Sequence, residues 1–176
     1  GCTSTGKTCI IQRIIQNKFV EDSTATTTAA FNRKDIQFNG EQYSLSIWDT
    51  AGQERFMSVT PIYFRGANFA FIVFDLTDQS SFNQTEFWFE QVKQKSGVDT
   101  KIYLIGNKSD LVSMISVSQA LAEQQAELFG AKYFEVSAKT GNGFDKIIKQ
   151  LGVDLGAGDY KEQQLQEKLE QEKRKN

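Results

Sequence analysis

The first eight residues, Gly1-Cys2-Thr3-Ser4-Thr5-Gly6-Lys7-Thr8, set two glycines, a lysine and a hydroxyl at the spacing GxxxxGKS/T, and they run straight into Cys9-Ile10-Ile11-Gln12-Arg13-Ile14-Ile15, which reads as a helix. That pattern suits a triphosphate. Successive backbone N–H groups of such a loop point inward, the helix N-terminus adds a partial positive charge, and Lys7 brings a full one to the β- and γ-phosphates. Thr8 then offers a hydroxyl to Mg²⁺. A match of this kind arises by chance in roughly one chain in a few hundred, so the loop alone does not settle the chemistry.

What the chain lacks narrows the alternatives. There is no histidine, which excludes a Ser-His-Asp triad, and two cysteines, Cys2 and Cys9, cannot build a Cys₄ zinc site. Catalysis must draw on backbone N–H groups, Lys, Thr, Gln, carboxylates and a bound metal. The 20 basic and 22 acidic residues leave a net charge of -2, which gives no general attraction for nucleic acid or an acidic membrane surface. So few cysteines suit a reducing compartment and a cytoplasmic location. At 176 residues the chain is long enough for one domain that buries about 70% of its unfolded surface.

The elements that must position the loop can be read from periodicity. After the first helix, residues 17–28 are polar and carry four threonines, as expected of a loop that orders around a ligand. Residues 31–38 and 42–48 alternate apolar and polar around Asn39-Gly40, a hairpin signal, and predict two antiparallel strands. Residues 50–65 form a loop with a short helix opened by Pro61. The unbroken apolar runs 69–74 and 101–105 predict strands buried on both faces of a parallel sheet, and residues 132–136 a further strand. Helices are expected over 80–95, 118–129 and 144–151. The alternation specifies an α/β domain, and residues 152–159, with three glycines, break the pattern.

In an open α/β sheet, ligands sit outside the carboxyl ends of the strands. The strand ending at Trp48 is followed by Asp49-Thr50-Ala51-Gly52-Gln53, the one ending at Ile105 by Gly106-Asn107-Lys108-Ser109-Asp110, and the one ending at Val136 by Ser137-Ala138-Lys139. With the phosphate loop, four strand-end loops converge on one crevice. In this order and spacing GxxxxGKT, DTAGQE, NKSD and SAK resemble the Ras-superfamily small GTPases over residues 1–151. Within that superfamily the stretches Leu45-Ser-Ile-Trp48, Arg55-Phe-Met-Ser-Val-Thr60, Tyr63-Phe-Arg-Gly-Ala67 and Ile72-Val-Phe-Asp-Leu-Thr77 resemble the Rab family, and Ala29-Ala30-Phe31 resembles its endosomal branch.

The resemblance implies a P-loop GTPase fold: three layers around a mostly parallel central sheet with one antiparallel edge strand. It also implies that the strand feeding the phosphate loop is missing from this chain. That strand would lie between the ones over 42–48 and 69–74, so two unpaired inner edges and a slot are expected there. The implied domains are a truncated GTPase domain over 1–155 and a polar, charged tail over 156–176. The tail ends Glu172-Lys-Arg-Lys-Asn176, without the prenylation cysteines that Rabs carry.

The implied function is a monomeric switch that binds GTP and GDP with Mg²⁺, hydrolyses GTP slowly and regulates vesicular traffic. It would act with effectors, an exchange factor and an activating protein on the cytoplasmic face of endomembranes. In that reading Gly1, Thr3, Ser4, Thr5, Gly6, Lys7, Thr8 and Cys9 hold the phosphates, and Thr8 and Thr26 are direct metal ligands, with Thr27 and Thr28 as competitors of Thr26. Asp49 holds a metal-bound water. Gly52 touches the γ-phosphate, and Gln53, with Lys7, carries catalysis by orienting the attacking water. Asp110 accepts from guanine N1–H and the 2-amino group, Asn107 fixes the loop, Lys108 and Phe19 cover the two faces of the base, and the Ala138 N–H, between Ser137 and Lys139, meets O6. Phe31, Trp48 and Tyr63 match the aromatic triad that Rabs present to effectors; core packing is the alternative for Trp48.

The chain departs from the family at Thr27-Thr28, where Ile-Gly is usual, and at Thr3 and Ser4, where smaller residues are common. A β-branched Thr3 near the γ-phosphate would slow hydrolysis without hurting binding. These departures motivate a second reading, a GTP-binding scaffold with negligible turnover, against which Gln53 argues. An ATP-driven P-loop enzyme is countered by Asn107-Lys108-Ser109-Asp110.

Overall fold

A computed structural model describes residues 1–21, 26, 28–38, 40–51, 61–97 and 99–156, with backbone alone for Pro61 and Ile62. Helix α1 (Lys7–Gln16) leads to the hairpin β1 (Ala30–Phe38) and β2 (Glu41–Asp49). There follow α2 (Pro61–Phe64), β3 (Phe69–Asp75), α3 (Gln79–Asn83), α4 (Thr85–Lys95), β4 (Lys101–Asn107), a 3₁₀ turn (Val112–Met114), α5 (Gln119–Phe129), β5 (Lys132–Glu135) and α6 (Phe144–Asp154). Asn39, Gly52, Gln53, Thr27, the stretch Arg55-Phe-Met-Ser-Val-Thr60 and the tail over 157–176 lie outside the described residues.

Period-2 alternation along the buried strands divides the interior into two layers. Val73, Tyr103 and Ile105 face one way and pack with Cys9 and Ile10 of α1 and Phe144, Ile147 and Leu151 of α6. Their neighbours Ile72, Phe74 and Leu104 face the other way and pack with Phe82, Trp88 and Phe89 of α3 and α4 and Ala122 and Ala126 of α5. Helices therefore cover both faces, as the continuous apolar runs require.

Beyond shifts of one or two residues at strand and helix ends, two predicted elements differ in extent. The helix expected over 80–95 is two helices, because the Thr85 hydroxyl donates to the Phe82 carbonyl at 2.7 Å and competes with the helical ladder at the junction. Asp78 caps the first of them, accepting from the Ser80 N–H at 2.9 Å. The last helix runs past Leu151 and through Gly152 to Asp154, where a break was expected. Gly152 fits there because the Phe38 ring lies flat on its backbone, in the space a Cβ would need. The helix end is pinned as well. Asp154 accepts from the Tyr103 hydroxyl at 2.6 Å and from Lys132 at 2.7 Å, and its carbonyl accepts from Lys101 at 2.6 Å.

The strands form two sheets among the described residues: the antiparallel pair β1-β2, with Phe31 opposite Trp48, and the parallel set β3-β4-β5, with Val73 opposite Ile105. The inner edges of β2 and β3 do not pair. They face a cavity of about 470 Å³ lined by Ile10 and Ile14 of α1, Ile47 of β2, Phe71 of β3 and Trp88 of α4. The Trp88 Nε1 is buried there without a hydrogen-bond partner among the described residues.

Two outcomes are expected from these contacts. Each apolar side chain that fills the cavity contributes roughly 1.5 to 3 kcal/mol. A chain extended by five to eight apolar residues ahead of Gly1 should therefore unfold at higher temperature and higher urea concentration than one beginning at Gly1. Equal midpoints would rule out the cavity as a strand-accepting gap. For Asp154, burial alone would raise the carboxyl, but hydrogen bonds from Lys132 and Tyr103 hold it below the usual range. Its stabilising contribution is therefore present above the unfolded carboxylate value near 3.8 and lost as pH falls through the lower folded value. Asp154→Asn should cost about 1 kcal/mol at neutral pH, with the deficit shrinking below pH ~4. Urea denaturation across pH measures it, and a pH-independent deficit would contradict the assignment.

Candidate guanine-nucleotide site

The phosphate loop turns through two left-handed residues, Ser4 at φ 65° and Gly6 at φ 89°. Only glycine fits the second, because the space of a Cβ on Gly6 is filled by the amide nitrogen of Asn107. Thr3 and Ser4 are exposed at the loop tip. Thr5 is buried and its hydroxyl donates to the Cys2 carbonyl at 3.0 Å, which leaves its backbone rather than its side chain for a ligand. Cys9 lies in the core layer beneath.

Lys7 folds back over the loop it follows. Its ammonium donates to the carbonyls of Gly1 at 2.9 Å and Cys2 at 2.6 Å. Burial pulls this lysine down to about 8, against the attraction of the Asp49 carboxylate. A dense negative ligand arriving at the loop mouth would raise it again and draw the ammonium off the carbonyls.

Three oxygen groups from distant parts of the chain meet beside it. The Thr8 hydroxyl donates to Asp49 Oδ2 at 2.7 Å and lies 2.8 Å from the Thr26 hydroxyl. Thr8 has one proton and gives it to Asp49, so Thr26 is the donor in the second contact. Burial lifts the Asp49 carboxyl above the usual range, opposed by the Thr8 hydrogen bond and the Lys7 charge. Asp49 Oδ1 is buried and has no hydrogen-bond partner among the described residues. Two hydroxyls and a carboxylate with a spare oxygen make an all-oxygen donor set, which fits a hard cation such as Mg²⁺ and not a soft metal.

The loops after β4 and β5 close the other end. Asn107 is 2% exposed and reaches both ways: its Nδ2 donates to the Thr5 carbonyl at 2.9 Å and its Oδ1 accepts from the Ala138 N–H at 3.1 Å. The Ala138 N–H thus has a protein partner where the family resemblance gives it guanine O6. Asp110 accepts from the Ser137 hydroxyl at 2.6 Å, and Ser137 in turn accepts from the Thr140 N–H at 3.0 Å. Lys108, in the left-handed region at φ 67°, pairs with Asp75 at 2.5 Å. Lys139 pairs with Glu21 at 3.3 Å, and Phe19 is half-buried against the core layer of α1 and α6.

Two contributors were invisible in the motifs. Arg13 of α1 donates from Nε to the Ala138 carbonyl at 3.0 Å and from a terminal nitrogen to the Lys139 carbonyl at 2.8 Å, so the phosphate-loop helix clamps the 137–139 loop. No local pattern announces an arginine whose partners lie 125 residues on. Asp75 stands at the carboxyl end of a buried strand, and the strand-end rule that singled out the other loops would have found it.

On the adjoining surface, Phe31, Trp48 and Tyr63 form a contiguous patch. Ring centroids are 5.0 Å apart for Phe31 and Trp48 and 4.8 Å for Trp48 and Tyr63. Phe31 is 54% and Trp48 45% exposed, which excludes core packing for Trp48. Among the described residues no helix is long and apolar enough to cross a membrane.

A sequence model of the Ras family matches residues 1–155. The Ras-related protein Rab-21 of Homo sapiens is 38% identical over 151 residues, covering 86% of this chain and 66% of its own length. Rab-21 of Dictyostelium discoideum is 40% identical over 151 residues, with 86% and 70% covered. The Ras-related protein Rab-30 of Homo sapiens is 37% identical over 155 residues, with 88% and 76% covered. The phosphate loop, the oxygen cluster and the two strand-end loops stand in the family's order along a chain this similar. The chain belongs to the Ras family and, within it, to the Rab-type small GTPases of membrane traffic.

Proposed function

We propose that this chain is a guanine-nucleotide switch that binds GTP and GDP at the crevice around Asn107 and hydrolyses GTP slowly. The observation that carries the reading is the meeting of Thr8, Thr26 and Asp49 beside Lys7, with Asp110 and Ser137 at the far end of the same crevice. Thr8 and Thr26 would hold Mg²⁺ directly and Asp49 through a water. When bound, the ion supplies neutralisation of phosphate charge.

The chain's own groups then do the following. Lys7 leaves the Gly1 and Cys2 carbonyls for the β- and γ-phosphates, and the backbone N–H groups of residues 3–9 face the phosphate oxygens. Asp110 accepts from the guanine N1–H and 2-amino group, Lys108 and Phe19 flank the ring, and the 137–139 loop closes the O6 side. Gly52 and Gln53 would serve the γ-phosphate and the attacking water. Thr26 and Gly52 each lose a partner when that phosphate leaves, and their loops relax; this is the switch. Phe31, Trp48 and Tyr63 would read the change out to an effector, because contiguous, partly exposed aromatics make efficient interface anchors. Exchange and activating proteins would set the two rates, and membrane association would come from a lipid anchor.

Two variants test this reading. Asp110→Asn should move preference from guanine to xanthine, whose 2-oxo group suits an amide donor, as read by competition of GTP and xanthosine triphosphate for the site; unchanged GTP affinity would sink the guanine assignment. Intrinsic hydrolysis is expected on the order of 10⁻⁴ per second, raised roughly 10³- to 10⁵-fold by an activating protein. Gln53→Leu should leave nucleotide affinity within a few-fold and cut the stimulated single-turnover rate by orders of magnitude. A stimulated rate equal to that of the unaltered chain would remove Gln53 from catalysis.

A further inference from the structure

Asp75 ends β3 directly opposite Asn107, which ends β4, yet it belongs to none of the four motifs. Its side chain is buried and its two carboxylate oxygens do different things. Oδ1 accepts from the Thr77 N–H at 2.9 Å and the Thr77 hydroxyl at 2.7 Å, while the Asp75 N–H donates to the Ser81 hydroxyl at 2.9 Å. These bonds fix the plane of the carboxylate. Oδ2 is left to the Lys108 ammonium, which meets it at 2.5 Å. Lys108 is thereby held at both ends: its backbone sits in a left-handed turn at φ 67°, and its head is tied to a neighbouring strand.

We propose that Asp75 is a positioning residue for base binding: by anchoring the Lys108 ammonium it holds the lysine's alkyl stem extended along one wall of the base crevice, and so sets how long a guanine nucleotide stays bound. The inference rests on the guanine-nucleotide reading above and adds a residue to it. An untethered lysine loses its rotamer freedom when it is ordered against a ligand, and that loss weakens binding by roughly tenfold. Here the ordering precedes the ligand. The choice of base remains with Asp110, so Asp75 governs residence time and not base preference.

A turn-forming role for Asp75 would rest on Oδ1 alone, and Asp75→Asn separates the two roles. Asparagine keeps an acceptor for Thr77 and removes the charge that faces Lys108. Lys108→Met keeps the stem and removes the head. Stopped-flow release of a fluorescent GDP from the full chain should be about tenfold faster in Asp75→Asn and in Lys108→Met. The double variant should be within about twofold of Lys108→Met alone, the non-additivity expected of two residues acting through one contact. The nucleotide-free melting midpoint of Asp75→Asn should lie within about 3 °C of the unaltered chain. Release from Asp75→Asn at the original rate, or an undiminished effect in the Lys108→Met background, would overturn the proposal. So would an unchanged rate in Lys108→Met, an arm that stands even if Asp75→Asn fails to fold. Absence of GDP binding by the unaltered chain is read before any variant; it would remove the guanine-nucleotide reading and this inference with it.

Discussion

One side chain joins the parts of this site. Asn107, buried at the end of a parallel strand, donates to the phosphate loop through Thr5 and accepts from the base-side loop through Ala138. Its amide nitrogen also occupies the space that a side chain at position 6 would need, so the glycine of the phosphate loop and the asparagine of the next motif define each other. A buried amide with both ends bonded is costly to disturb, because each orphaned group loses about 1 to 3 kcal/mol. Arg13 doubles the joint from the other side, tying the helix that follows the phosphate loop to the carbonyls of Ala138 and Lys139. Phosphate and base ends of the crevice are thus one rigid unit.

Most polar groups of the crevice already hold one another, Asp49 Oδ1 excepted. Lys7 lies on the carbonyls of its own loop, Thr8 on Asp49 and on Thr26, Asp110 on Ser137, and Lys108 on Asp75. A ligand must replace these bonds, not merely add to them. That requirement favours a ligand with several dense negative charges and a donor edge, and disfavours an ordinary apolar molecule. Burial depresses Lys7 and raises Asp49, and a stronger opposite charge beside either group would favour its charged form.

Most of the architecture was legible because its signals are local. Unbroken apolar runs marked β3 and β4, Asn39-Gly40 marked the hairpin, and the apolar residues after the first loop marked α1. What the sequence hid depends on contacts between distant residues. The last helix was expected to stop before Gly152, because glycine weakens a helix; it continues because Phe38, from the hairpin, needs that glycine's bare backbone. The break at Thr85 comes from a hydroxyl taking a carbonyl three residues back, a competition that apolar periodicity does not register. Trp48 is ambiguous between core and surface in the sequence, and its exposure beside Phe31 and Tyr63 is a property of the fold. Arg13 and Asp75 act through partners that only the fold brings near.

The central claim is that a crevice organised by Asn107 holds a guanine nucleotide in preference to any other. Equilibrium titration with GDP and with ADP, in the same magnesium-containing buffer, tests it most directly. A site that hydrogen-bonds the N1–H and 2-amino edge should favour GDP by about 10⁴-fold or more, since ADP leaves the Asp110 carboxylate without its donors. Comparable affinities for the two nucleotides would contradict the account.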